Sequence, residues 1–273
     1  MKVVKGRPEG PFVRAVLRAS PPLWHNSEIT RERRGAGLMR DIRNPVFGAV
    51  FAAAMAFGAA GYAADISDTY WATAYSPKIQ VVGGGDPPLN AAGKAAYAMN
   101  QAGLKDGSIV DKARKVCVPD GVPRVLETPF PFQIFQVPAD QVTFLYEMNH
   151  QTRTILMDKP LPKLESLATE LRYQGHSVAH WEGDTLVVES TGFNDRTFLD
   201  ASGLPHSESM STVERIKKTG NQLEDVVTIH DPDMYTRDWQ ARFVYTERND
   251  VRLEDYACND SHRDLSSVAG TRR

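Results

Sequence analysis

Residues 176–194 read HSVAHWEGDTLVVESTGFN, and this stretch decides the fold class. On either side of Glu182-Gly183-Asp184 the residues alternate with the two-residue period of a strand, while those three have turn chemistry. The stretch is therefore a β-hairpin, and it gathers His176, His180, Glu182 and Asp184 into one short unit.

Working outward, the same period recurs upstream at residues 132–137, 142–148 and 152–157, and downstream at 212–218, 222–230, 240–247 and 251–257. Thr219-Gly220-Asn221 and Arg248-Asn249-Asp250 have the composition of the intervening turns. Sequential hairpins predict an all-β, mainly antiparallel meander that closes into a lipocalin-like up-and-down barrel or a strongly curved sheet, because closure removes exposed edges. A two-sheet β-sandwich is the alternative. One short N-terminal helix is predicted over residues 91–102, started by Pro87-Pro88-Leu89-Asn90 and capped by Gly103. Tyr70, Trp71 and Tyr75 are expected to lie across other elements, and residues 161–173 to form a helical turn or a loop.

The 273-residue chain carries a targeting signal. Met39 opens a basic stretch with Arg40 and Arg43, a small-residue apolar run fills residues 46–60, and Gly61-Tyr62-Ala63 suits signal peptidase, predicting a signal peptide over 39–63. A membrane anchor is the rival reading, for which the run is short and rich in Ala and Gly. Residues 1–38 lack apolar periodicity and read as a disordered leader or an upstream extension; residues 64–273 read as a single β-rich domain. The expected location is periplasmic or secreted, with no stable membrane insertion after cleavage.

Residues 1–63 hold ten Lys and Arg against four Asp and Glu, so the chain from Ala64 onward has 22 basic and 30 acidic residues, a formal charge of −8. That balance, with no basic stripe interleaved with aromatics, argues against nucleic acid as a partner. Cys117 and Cys258 both follow the signal, in a compartment where thiols oxidise, which predicts a disulfide; two free thiols are the other possibility.

His176 and His180 have a spacing that chelates zinc on a helix, but on a strand four residues span about 13 Å, so no metal site is expected from this pair. His206-Ser207-Glu208 places a triad's residue types in direct succession, which denies them triad geometry. Glu147, Arg153 and Glu214 lie within strands, and burial of Glu147, Glu214 and His176 inside a barrel would move their proton affinities toward neutrality. Tyr235, Asn194 and His206 fall in loops at a rim, where function concentrates, and Trp239 reads as core or pocket wall.

HSVAHWEGDTLVVESTGFNDRTFLD (176–200), GLPHSE (203–208), VERI (213–216), HDPDMYTRDW (230–239) and the segment CVPDGVPRVLETPFPFQIFQVPADQVTFLYEMNHQTRTILMD (117–158) together resemble a large group of exported bacterial proteins. That group shares a GHSxGxWEGDTLVVxTxGFNDxTWLD core, a PHS step and a DDPxxYTxPW step. The resemblance implies an exported domain in which the two cysteines occur together, and it marks Glu147, Arg153, Asp158, His176, Trp181, Glu182, Asp184, Asn194, His206, Glu214, Arg215, Asp231, Tyr235 and Trp239. It implies no particular reaction. The chain departs from the pattern at Ala179-His180, at His230 and at Lys159-Pro160-Leu161.

The leading expectation is a cofactor-independent acid/base enzyme of the lyase, isomerase or hydrolase type, acting on a small, partly apolar molecule. His176 with Glu147 or Glu214 would transfer the proton, Arg153 or Tyr235 would stabilise developing charge, and His206 would assist from the rim. Trp181, Asp184, Asn194 and Trp239 would bind the ligand. The opposing expectation is a non-catalytic carrier of a small hydrophobic ligand.

Overall fold

Nine strands close into a lipocalin-like barrel in the order in which the chain lays them down, with the first strand paired to the last. The computed structural model describes residues 64–137, 140–167, 169–256 and 258; the expected leader and signal peptide lie outside the described residues. The strands are β1 (Asp68–Ala72), β2 (Phe132–Val137), β3 (Gln141–Tyr146), β4 (Thr152–Met157), β5 (His176–Glu182), β6 (Thr185–Thr191), β7 (Ser211–Thr219), β8 (Gln222–His230) and β9 (Trp239–Glu247). The sandwich alternative is excluded by the closure of β1 on β9, through Tyr70 opposite Glu247 and Ala72 opposite Tyr245.

A ring of strands that alternate in direction throughout needs an even number, so a nine-stranded barrel must contain one parallel pair. That pair is β4 and β5, with Ile155 opposite Ser177 and Met157 opposite Ala179. Parallel neighbours cannot be joined by a tight turn. Residues 158–175 therefore travel back along the barrel wall, making one 3₁₀ turn at Leu164–Leu167. Elsewhere the meander is regular, and Gly183-Asp184 and Gly220-Asn221 close two-residue hairpins at one end. The long connections, residues 73–131, 192–210 and 231–238, gather at the other end, the mouth.

Alternation puts one side chain of every two inside. Phe132 is the hub of an aromatic cluster, with ring centroids 5.7 Å from Tyr70, 6.0 Å from Phe144, 5.5 Å from Tyr146 and 4.8 Å from Tyr245. Ile155, Leu186, Val188, Ile216, Val227 and Ile229 fill the remaining wall, each fully buried. Burial of such side chains contributes roughly 1.5–3 kcal/mol apiece and dominates the stability of the barrel.

Three expectations are corrected. Residues 68–72 form a strand, because Tyr70 alternates inward to the aromatic cluster. Residues 251–256 do not form one, since β1 occupies the place beside β9. The tail instead returns toward the mouth, where Glu254 N donates to Glu147 Oε2 at 2.9 Å and Cys258 is disulfide-bonded to Cys117. The helix, α1 (Ala91–Asp106), is longer than predicted: Asn90 caps it by accepting from Gly93 N, and Gly107 is the left-handed cap. Gly103 lies within α1, and Ile109 packs where its side chain would be. A second helical turn, α2 (Lys112–Lys115), leads to the disulfide.

Candidate functional site

The interior holds a buried ion pair rather than an open lumen. Arg153 projects inward from β4, its Nη1 donating to Glu214 Oε2 at 2.7 Å and its Nη2 to Glu214 Oε1 at 2.6 Å. Ser177 Oγ accepts from Nε at 3.2 Å, and Ser190 Oγ accepts from Nη2 at 2.9 Å. Burial opposes the guanidinium charge, but the Glu214 carboxylate more than offsets it, leaving Arg153 above its ordinary range. Asp225 shares this interior, and burial first, then the Glu214 charge, raises it well above the usual carboxylate range. Arg153 is 2% exposed and Glu214 0%, with the aromatic cluster beside them. This pair is walled off from solvent.

Glu147 and His176 do not join Glu214 inside. Glu147 sits in the turn after β3 and anchors the tail through Glu254 N. His176 faces outward, because its neighbour Ser177 takes the inward position beside Arg153. The three proton-transfer candidates are thus separated by the barrel wall and the mouth.

At the mouth the motif residues hold loops together. Tyr235 Oη donates to Pro205 O at 2.8 Å, and its ring lies 5.3 Å from that of Trp239, which is buried. Asp231 accepts from Ser207 N and Ser207 Oγ, both at 2.7 Å. Asn194 Oδ1 accepts from Arg196 N. His206 is buried and its Nδ1 faces Ser207 O at 3.3 Å; burial lowers its proton affinity, so the imidazole is neutral at pH 7. Trp181 and Asp184 lie toward the opposite end. Asp184 pairs with Lys217 at 2.9 Å, and Glu182 with Arg215 at 2.7 Å, on an exposed hairpin tip about 20 Å along the strand from His176.

Ligand-sized space lies outside the strands, and one such space contains His176. A groove of about 400 Å³ runs between the outer faces of β4 and β5 and the crossover that their parallel pairing requires. Its floor is apolar, with Leu156 45% exposed beside Val178, Pro160 and Pro162. Its other lining residues include the bases Lys159, Arg172 and His176. Arg172 N donates to Gly192 O at 2.9 Å and Asn194 N to Arg172 O at 3.0 Å, which stitches the returning crossover to the end of β6. The Arg172 side chain is exposed, with its guanidinium 3.9 Å from the Glu170 carboxylate.

His176 Nε2 lies 2.9 Å from Glu170 O. A carbonyl only accepts, so Nε2 carries the hydrogen and Nδ1 keeps the lone pair in the neutral ring. Gly192, at φ +74°, makes room for this ring: a Cβ there would come within 3.1 Å of His176 Cδ2 and 2.7 Å of Leu167 Cδ1. The sequence reading named His176 but missed Lys159, Arg172 and Leu156. The signal available was the proline-bracketed, non-periodic run after β4, which cannot be a hairpin connection.

Among the described residues no three His, Cys, Asp or Glu side chains are placed to share a metal ion. No protein-family model matches the chain, and no curated protein matches it. Among solved structures, the fluorescent protein UnaG is 15% identical over 43% of this chain and 72% of its own, with a TM-score of 0.27. An asparagine-to-glutamine mutant of UnaG is 14% identical over 68% and 97%, with a TM-score of 0.31. A secretary abundant heat soluble (SAHS) protein from Ramazzottius varieornatus is 9% identical over 69% and 98%, with a TM-score of 0.27. At scores of this size the likeness decides nothing about this chain, and the barrel assignment rests on the strand pairing.

Proposed function

We propose that this chain is an exported binding protein that takes a small amphipathic anion, a medium-length carboxylate, into the groove beside His176. The observation that supports it is the meeting of an uncovered apolar floor at Leu156 with three bases in one groove, on a barrel whose interior is filled by its own side chains. The hydrocarbon part would lie on Leu156, Val178 and Pro162, and the carboxylate would accept hydrogen bonds from Arg172 and Lys159. Lys159-Pro160-Leu161 is also where the chain departs from the signature of the group it resembles, which supports a ligand choice particular to this chain.

Isothermal titration of the protein from Ala64 onward with decanoate, and with decanol as the uncharged control, tests the reading. Decanoate should bind and decanol much more weakly, Arg172→Ala should weaken decanoate by about tenfold, and Leu156→Asp should abolish binding. Equal binding of acid and alcohol, or no effect of both substitutions, would overturn it.

One observation favours a second reading, proton transfer. The tautomer fixed by Glu170 O leaves Nδ1 of His176 as a base, with Arg172 in the same lining to stabilise an oxyanion. In that case 4-nitrophenyl ester hydrolysis should disappear in His176→Ala while the thermal transition stays near wild type.

A further inference from the structure

A second cavity, of about 540 Å³, lies between α1 and a strap formed by residues 78–88, and it shares no lining residue with the crossover groove. The strap runs beside β9, with Arg242 N donating to Gln80 O and Val82 N to Gln240 O at 2.8 Å, and it is fastened again where Asn90 N donates to Met234 O at 2.9 Å. Between these anchors Gly83, Gly84 and Gly85 have φ of +86°, +81° and +85°, with nothing within 4 Å of a Cβ at any of them. Only glycine adopts three such conformations in succession at low cost. The strap is thus fixed at both ends, and between them it makes a glycine turn closed by Gly84 N donating to Val81 O at 2.9 Å.

The floor of the cavity is Ile79 and Leu204, both buried, with the half-buried ring of Tyr97. Tyr97 Oη lies 2.7 Å from Ser202 Oγ, which holds the ring in place. Asp200 forms part of the wall but is engaged with the protein: Oδ1 accepts from Ser202 N, Ser202 Oγ and Leu204 N, and Oδ2 from Ile79 N. Lys78 and Lys94 also line the cavity, and neither ammonium has an ion pair or hydrogen bond among the described residues. The remaining wall carboxylate, Asp86, opposes a dianion.

We propose that this cavity is a second binding site, for a small planar monocarboxylate whose ring lies over Ile79, Leu204 and Tyr97 and whose carboxylate is held by Lys78 and Lys94. The aromatic and aliphatic floor selects a flat apolar body, and the two unpaired ammonium groups supply the charge-assisted hydrogen bonds. The site is independent of the His176 groove and stands or falls separately from it.

Two-dimensional ¹H–¹⁵N spectra of the protein from Ala64 onward, titrated with 2-naphthoate and separately with 2-naphthamide, test the proposal. Naphthoate should shift the amides of Gly84, Gly85 and Tyr97 saturably, and naphthamide should bind far more weakly. Lys78→Ala with Lys94→Ala should weaken the naphthoate response at those amides by about tenfold, since exposed charge pairs are individually weak. Both lysines are exposed, so the variant's remaining amides should superpose on the wild type and report an intact fold. His176→Ala should leave the response at Gly84 and Gly85 unchanged. Equal binding of the amide, an undiminished response in the lysine variant, or shifts confined to residues 154–178 would each overturn it.

Discussion

Arg153 and Glu214 meet across the barrel interior in a two-pronged ion pair, with N–O distances of 2.7 and 2.6 Å, and neither side chain reaches solvent. Two charges removed from water are stable only while they satisfy each other. Glu214→Ala should therefore destabilise the protein by about 3–5 kcal/mol, because it leaves a buried guanidinium uncompensated. Replacing both, Arg153→Met with Glu214→Met, should recover most of that loss, since an apolar pair of similar volume removes the desolvation cost. Urea unfolding of the two variants measures the contrast, and equal losses would show that the pair does not act as a unit.

Two carboxyl groups shifted by their surroundings, Asp225 and Glu127, give stability a definite pH dependence. Burial and the Glu214 charge raise Asp225, and burial followed by the nearby Asp200 charge pushes Glu127 up to about 9. Each keeps its proton in the folded state at pH values where the unfolded chain has released it. Their contribution is thus fully present below the ordinary carboxylate range and is lost as pH rises through the folded-state value, which for Glu127 is about 9. Stability should fall from pH 5 toward pH 9, by up to about 1.4 kcal/mol per pH unit for each proton retained. Asp225→Asn and Glu127→Gln should each flatten this slope in denaturant titrations at several pH values; a wild-type slope in both would refute the assignment.

Much of the barrel was legible in the sequence, because period-two alternation and two-residue turns are local features: Gly183-Asp184 and Gly220-Asn221 sit where their chemistry places them. The error at the ends has a physical origin. Residues 251–257 carry strand-like composition, but the choice of neighbour for β9 is a competition between distant segments, which Asp68–Ala72 wins by inserting Tyr70 into the aromatic cluster. The candidate site was half legible. His176 stood out for its chemistry, whereas Arg172 and Lys159 are ordinary surface residues until the crossover brings them to β4 and β5. The side to which His176 points depends on Ser177 meeting Arg153, a contact no local pattern encodes.

Gly192 links fold and groove. At φ +74° an L-residue costs roughly 1–2 kcal/mol, and the added Cβ would press on both His176 and Leu167. Gly192→Ala should lower stability by about that amount and also weaken decanoate binding, because the ring of His176 and the fastening of Arg172 to Gly192 O shift together. A stability loss with unchanged affinity would place the carboxylate away from this corner of the groove.

The disulfide joins Cys117 to Cys258 across 141 residues. In the chain-entropy account a closed loop of that length stabilises by about 5 kcal/mol. Its geometry limits what it protects. The barrel is closed by β1 on β9 before the tail begins, so the bridge at Cys258 and the Glu147–Glu254 contact fasten the end of the tail to the mouth without contributing to the ring. Reduction, or Cys117→Ser with Cys258→Ser, should lower the thermal midpoint by more than 10 °C on the scale expected for a loss of several kcal/mol. Decanoate affinity at a temperature where the variant remains folded should stay within about twofold of wild type, because no groove residue depends on the tail. If affinity is lost along with the bridge, the tail supports the crossover, and the groove does not stand on the β4–β5 pairing alone.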